Sequence, residues 1–237
     1  MAHIIAWNCQ GLAKPKAVRA LRLLLRNNKP EIVFLSEIKT PHIAAITKAL
    51  SCFSLPHFFS VPPIGLAGGL ILAWSNSINL HITSHNQTFI NALVFNNVDS
   101  QTWQFIGIYC PCYPTGKSSF WTSLKTISNT FDRPWLLMGD FNVVTSQNER
   151  KGGNPFASSS KNNLLSSFDD LGLIDLGFHG QPFTWNNKRG GLKNIQQRID
   201  RGVANSLWCS LFPTPLFSIF QLSPLTTPLF SSPLPLF

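Results

Sequence analysis

The chain has 237 residues, 44% of them hydrophobic and only 12% charged, which is enough to bury the core of one large domain behind a thinly charged surface. Nineteen Lys and Arg against ten Asp and Glu give a net charge of +9, a balance that suits a polyanionic partner through counterion release. No run reaches the roughly 18 apolar residues of a membrane helix and no signal-peptide pattern is visible, so we expect an intracellular chain, nuclear or cytoplasmic, with no membrane partner.

In chain order, residues 2–7 (A-H-I-I-A-W) are apolar and partly β-branched and predict a buried strand. Val18, Leu21, Leu24 and Leu25 fall at helical spacing within 14–28, and Pro30 ends that helix. Residues 31–36 (E-I-V-F-L-S) predict a second buried strand that delivers Glu37 at its end, and 42–50 a short helix. Strands follow at 68–75, 78–84, 88–96 and 102–109, the first three joined by short polar turns, which points to an antiparallel run. A helix over 117–130 precedes a buried strand at 134–139 that ends at Asp140. A loop rich in Gly, Asn and Ser covers 145–161, a helix 161–171, a short strand 173–176, and the last recognisable strands lie at 184–185 and 198–203. The mixture predicts an α/β (α+β) sandwich of four layers, α-β-β-α, with two mainly antiparallel sheets flanked by helices.

Five cysteines, with Cys110 and Cys112 in C-P-C, match no zinc spacing. They read as free thiols in a reducing compartment, without a disulfide-linked partner. Composition changes after about residue 213. No charged residue occurs beyond Arg201, and Phe, Leu, Pro, Ser and Thr dominate 214–237, a low-complexity tail on a domain spanning 1–213.

Several polar residues stand at the ends of apolar strands, where a strand fixes a side chain and a loop opens access to it. Asn8, Glu37, Tyr109, Asp140, Asn142 and Asp200 are such residues. Singly, each has an ordinary reading as turn former, cap or core. Lys39, Arg150, Lys151, Lys188, Arg189 and Arg198 are candidates for phosphate contact, with a solvated basic face as the alternative. Trp185 could stack on a nucleic acid or belong to the core.

Seven segments occur in order: W-N-C-Q-G-L (7–12), L-S-E-I-K-T (35–40), G-G-L (68–70), I-Y-C-P (108–111), G-D-F-N (139–142), F-T-W (183–185) and R-I-D-R (198–201). This series resembles the endonuclease/exonuclease/phosphatase superfamily, which includes deoxyribonuclease I. N-E-R-K-G-G (148–153) and N-S-L-W-C-S-L-F-P (205–213) make it most similar to the endonuclease domain of plant LINE-type non-LTR retrotransposons. The resemblance implies a phosphodiesterase dependent on Mg²⁺ (or Mn²⁺) that nicks DNA. It implies Glu37 as the principal metal ligand, Asn8 orienting that site and Asp140 activating water. Asn142 and Tyr109 would hold the scissile phosphate, and Asp200 would orient a histidine in a later S-D-H motif.

That histidine is missing, since none follows His179. Gln10 is a second departure, at a position where the repair enzymes carry a carboxylate. Pro224-Leu225-Thr226-Thr227-Pro228 can be encoded by bases that read S-D-H-S in a shifted frame, and Ser218-Ile219-Phe220 likewise permits H-L-P. A frameshift between about Pro213 and Ser218 would leave a C-terminally truncated, inactive domain whose last strands are missing and whose neighbouring strand has an exposed edge. A phosphatase of the same superfamily and a non-catalytic nucleic-acid-binding remnant are the alternatives.

Overall fold

The computed structural model describes residues 3–95, 102–130, 132–154, 158–178 and 181–213, with the backbone alone for 158–163. His179 and the expected tail, 214–237, lie outside the described residues. The elements run β1 (Ile4–Asn8), α1 (Pro15–Asn28), β2 (Ile32–Ser36), α2 (Ala44–Cys52), β3 (His57–Val61), β4 (Leu70–Trp74), β5 (Asn79–His85), β6 (Phe89–Phe95) and β7 (Thr102–Tyr109). They continue with α3 (Pro114–Ser128), β8 (Trp135–Asp140), β9 (Arg150–Lys151), α4 (Ser158–Asp170), β10 (Leu173–Asp175), β11 (Trp185–Asn186), β12 (Gln196–Gln197), β13 (Asp200–Asn205) and α5 (Ser206–Leu211).

The strands assemble into a sheet ordered β1-β2-β4-β3, a second ordered β10-β13-β8-β7-β6-β5, and a small third ordered β11-β12-β9. β1–β2 and β7–β8 are parallel, and the other pairs are antiparallel. Alternation along the central strands sorts side chains into layers. Val33, Leu35, Ile71 and Ala73 face outward under Leu21, Leu24 and Leu25 of α1 and Ile46 and Leu50 of α2. Ile32, Phe34, Leu70 and Leu72 face inward against Ile90, Ala92, Phe105, Leu136 and Met138 of the larger sheet. That sheet's outer face, with Ile106, Ile108 and Leu137, is covered by Phe120 and Leu124 of α3 and by Leu164 and Phe168 of α4. Each fully buried Leu, Ile or Phe contributes about 1.5–3 kcal/mol, so three stacked apolar layers fix the α-β-β-α order.

Several elements differ from the sequence expectation. β3 was not anticipated, because H-F-F-S-V sits at a sheet edge and exposes His57 and Phe58 rather than alternating cleanly. α3 begins at Pro114, three residues before the expected start at 117, since Pro is well placed at a helix's first position. β9 falls inside the expected loop and pairs with β12, whose Gln-Gln sequence carries no strand signal. α5 is capped by Asn205, whose side chain accepts from the Trp208 backbone N–H. This helix, which follows the last expected strand, was not anticipated from the sequence. Among the described residues β1 has β2 as its one strand neighbour and so lies at the edge of its sheet. No helix among them is long and apolar enough to cross a membrane.

Candidate active site

The pairing brings the strand ends named from sequence to one rim of the sandwich. β7 and β8 are parallel with Tyr109 opposite Asp140, so both side chains emerge at the same edge. β13 runs back along β8 with Asp200 opposite Asp140. Across the interface, parallel β1 and β2 end together at Asn8 and Ser36, and Glu37 is the next residue. Asn8 closes the gap between the sheets. Its amide Nδ2 donates to Asp140 Oδ2 at 2.7 Å and to Glu37 Oε1 at 3.2 Å.

The loops that carry these groups are held in strained backbone. Gln10, Glu37, Lys39 and Asn142 all have positive φ, between 49° and 55°, which non-glycine residues adopt at a cost of about 1–3 kcal/mol when surrounding bonds enforce it. Those bonds are present: Cys9 N–H donates to Ser36 O, Gly11 N–H to Glu37 O, and Lys39 N–H to Gly68 O, at 3.0, 2.8 and 3.0 Å. Gly69 permits the approach, since a Cβ there would lie 2.5 Å from Ile38 Cγ1 and its own φ is +84°. The G-G-L motif is thus the floor beneath Glu37.

The electrostatics of the cleft are lopsided. Burial pushes the Asp140 carboxyl well above the usual range, and the Asp200 charge adds to it, although Asn8 and the Asn142 N–H (2.7 Å to Oδ1) donate to it. Burial also lifts Asp200, to about 6, against lowering contributions from Thr184 and Arg201. Asp200 keeps some contact with water yet is crowded by protein on all sides. Burial raises Glu37 too, but hydrogen bonds from Lys39, Asn8 and Tyr109 outweigh it, and its carboxyl ends below the ordinary value. Burial and the Glu37 charge push the Tyr109 hydroxyl up, so it stays protonated and able to donate. Lys39 forms an ion pair with Glu37 and keeps 38% of its side chain exposed.

The donor set suits a hard cation. Glu37 and the Asn8 side-chain carbonyl offer oxygen, and two further carboxylates lie close enough to perturb one another. Among the described residues no three His, Cys, Asp or Glu groups come together as a ligand cluster.

The remaining candidates are distributed differently. Asn142 Nδ2 donates to Cys110 O at 2.7 Å, and Lys117 Nζ reaches Asn142 O at 3.1 Å. Lys117 is a cation beside the G-D-F-N loop that sequence reasoning missed, because on α3 it resembles any solvated helix lysine. Trp185, Gln197 and Arg150 form one cross-strand row of the small sheet, with Lys151 next along it, exposed. This sheet adjoins the cleft through Thr184, whose hydroxyl accepts from the Ile199 and Asp200 N–H groups at 3.0 and 3.1 Å.

Arg198 does not join them. It is 5% exposed. Its Nη1 donates to Glu149 and its Nη2 to Asp175, both at 2.8 Å, and its guanidinium lies 4.8 Å from the Phe178 ring centre. Arg201, fully buried in its side chain, bridges the same two carboxylates. Glu149, at the C-terminal end of the G-D-F-N loop, also accepts from Thr145 N–H and Oγ1 at 2.6 and 2.8 Å. Arg201 Nη2 additionally donates to Val143 O at 3.4 Å. This four-residue network clamps the loop bearing Asn142 onto β13 beside Asp200. The N-E-R and R-I-D-R motifs flagged its members, but nothing local in either motif states that they pair across roughly fifty residues.

The structure is thus a layered sandwich with carboxylates and amides converging at the ends of its central strands. Residues 5–213 match the Endonuclease/Exonuclease/phosphatase family, and the chain belongs to it. Among solved structures it is similar to the endonuclease domain of TRAS1, a telomere-specific non-LTR retrotransposon (16% identity, 87% of this chain and 86% of that one, TM-score 0.66). It is also similar to the 3′ phosphatase NExo from Neisseria bound to product DNA hairpin (20% identity, 87% of each chain, TM-score 0.65). A third is the AP endonuclease LMAP from Leishmania major (16% identity, 87% and 80% of the two chains, TM-score 0.68). At these identities the likeness concerns the fold. No curated protein sequence gives a significant match.

Proposed function

We propose that the cleft is the site of a divalent-metal-dependent phosphodiesterase, descended from a DNA-nicking endonuclease of a retrotransposon of the plant LINE type, and that this chain hydrolyses DNA poorly or not at all. The observation that carries the first part is the Asn8 amide, which ties Glu37 on one sheet to Asp140 on the other, directly opposite Asp200. Glu37, with Asn8 orienting it, would hold Mg²⁺ or Mn²⁺, and such an ion neutralises charge developing on phosphate oxygens. Asp140, its carboxyl raised by burial, is suited to take a proton from the attacking water. The protonated Tyr109 hydroxyl and the Asn142 amide would donate to the scissile phosphate. Lys39, Lys117, Arg150 and Lys151 would meet neighbouring phosphates, and Trp185 would lie along the nucleic acid. Arg198 is left out, because its guanidinium is spent on Glu149 and Asp175.

Two considerations favour DNA over a small phosphate ester: the net charge of +9 and the product DNA hairpin bound to one structural neighbour. The second part of the proposal rests on chemistry. Asp200 has no histidine to orient from an S-D-H segment, since the sequence contains none after His179. Loss of such a group slows hydrolysis about 10²–10⁴-fold. The frameshift between about Pro213 and Ser218 accounts for that loss, and the gene sequence checks it: codons for 218–228 unable to yield H-L-P and S-D-H in a shifted frame would remove the explanation.

The test is nicking of supercoiled plasmid with magnesium or with EDTA, beside a version whose tail is restored to the shifted frame. We expect no nicking by this chain, no further change in Glu37→Ala, and magnesium-dependent nicking by the restored version. Nicking by this chain that Glu37→Ala abolishes would refute inactivity and uphold the site. DNA binding without cleavage in either version would favour a non-catalytic binding remnant.

A further inference from the structure

A crevice of about 310 Å³ opens between the first turns of α3 and the β5–β6 turn, lined by Asn86, Thr88, Tyr113, Gly116, Ser119 and Ser123 among others. Its lining carries no charge, in a protein of net charge +9. It adjoins the cleft through backbone bonds. Tyr109 N–H donates to Thr88 O at 2.7 Å, and Cys110, bonded to Asp140 O and to the Asn142 amide, precedes Pro111 in the crevice wall.

The lining has definite chemistry. Tyr113 is 59% exposed, and its ring lies over Gly116, where a Cβ would come within 2.4 Å of it. The glycine lets the ring lie down on the helix and present a face. The hydroxyl protons are already engaged: Thr88 Oγ1 donates to Asn86 Oδ1 at 2.8 Å, Ser119 Oγ to Thr115 O at 3.3 Å, and Ser123 Oγ to Ser119 O at 2.9 Å. These three oxygens, on residues that line the crevice, are therefore left as acceptors. The Asn86 oxygen is saturated by Thr88 and Phe89, which leaves its Nδ2 as a donor. An aromatic face beside three acceptors and one donor, with no charge, fits a flat, neutral ligand edge rich in N–H groups.

We propose that this crevice is a nucleobase subsite beside the cleft, and that it prefers bases bearing an exocyclic amino group, adenine, cytosine and guanine, over thymine. The assignment rests on the DNA reading above, but its test does not use cleavage. Fluorescence anisotropy of labelled oligo(dA), oligo(dC) and oligo(dT) with the full chain in EDTA reads affinity alone. The expected preference for dA and dC over dT is about two- to tenfold, the worth of one net hydrogen bond. Tyr113→Ala should weaken binding of all three oligomers about tenfold by loss of stacking, since every base presents a face to the ring. Ser119→Ala, on an exposed helix face, should narrow the dA-to-dT ratio without altering the folded spectrum.

Equal affinity for the three oligomers, or affinities that Tyr113→Ala leaves unchanged, overturns the subsite and leaves the DNA reading intact. If no oligomer binds, the DNA reading falls and ¹⁵N spectra with free dAMP decide the crevice. Shifts at Thr88, Gly116 and Ser119 uphold it as a nucleotide site, and unshifted amides overturn it.

Discussion

Glu149→Gln should destabilise the fold strongly while leaving every cleft carboxylate in place. The Glu149 carboxylate accepts from Arg198 Nη1 at 2.8 Å, from Arg201 Nη1 at 2.7 Å and Nη2, and from Thr145 N–H and Oγ1. Removing its charge leaves two buried guanidiniums with Asp175 alone, and breaking a buried ion pair on one side costs about 3–5 kcal/mol. Titration gives an independent figure. Burial works against the carboxylate, yet Arg201 and Thr145 hold it at about 2 rather than 4.5. Linkage converts that difference to about 3 kcal/mol, with little discount for a side chain only 12% exposed. Because the folded-state value is depressed, this stability is complete above about pH 4.5 and vanishes as pH falls through about 2. In urea at pH 7, with a slope of about 3 kcal/mol per molar, the midpoint should drop by about 1 M. The parent should lose stability between pH 4.5 and 2 more steeply than Glu149→Gln. A midpoint within about 0.3 M of the parent at pH 7, or parallel acid profiles, would refute the network as a keystone.

Three further outcomes are expected. Asp200 carries the opposite sign: its folded value is raised from 3.8 to about 6, so the fold is favoured at low pH and loses about 2–3 kcal/mol as pH rises through that window. Asp200→Asn should therefore raise Tm at pH 7.5 and leave it nearly unchanged at pH 3.5, and a lowered Tm at pH 7.5 would contradict this. With a thiol reagent at pH 8, exposed Cys52 and Cys112 should react at once and Cys209 more slowly, while Cys9 and Cys110, buried and pushed up to about 12, should wait for unfolding. Gly69→Ala should cost about 1–3 kcal/mol by overpacking against Ile38 and disturb the ¹⁵N signals of Lys39 and Glu37, and an unshifted spectrum would mean that the G-G-L floor is not what holds the loop.

The sequence made the fold legible where one signal dominated. E-I-V-F-L-S and P-W-L-L-M-G are short unbroken apolar runs, and both became central strands buried at every residue. Ends were harder, because they depend on caps and turns: Asn205 opened α5 and Pro114 opened α3 outside the apolar spacing. β9 and β12 were illegible for a different reason. A two-residue strand of Arg-Lys or Gln-Gln has no pattern of its own and exists because a partner lies alongside. For the candidate site, the strand-end rule named Asn8, Glu37, Tyr109, Asp140, Asn142 and Asp200, because a strand's end is a local property, and the pairing of β1, β2, β7, β8 and β13 sets the strand ends that carry them at one rim. Arg198, one of the basic candidates for phosphate contact, is instead buried against Glu149 and Asp175, which its sequence could not show, because a buried arginine and a phosphate-binding arginine look alike until their partners are known and Glu149 lies 49 residues away.

The chain's ten Asp and Glu residues show how the fold and the cleft divide the work. Glu149 and Asp175 meet two arginines and become fixed structural charges, with Glu149 held far down and Arg201 pushed up, its four lines of attraction outweighing burial. Glu37, Asp140 and Asp200 gather at the rim with Lys39 beside one of them, and burial drives the two aspartates upward. A protein selected for stability alone would have balanced both groups, since an uncompensated buried carboxylate costs folding energy at neutral pH. The balanced network sits directly behind the unbalanced cleft: Arg201 follows Asp200 in the chain, and its guanidinium grips the loop that carries Asn142. The stable cluster thus holds the destabilising one in position, an arrangement expected of the proposed site for a cation and an anionic ester.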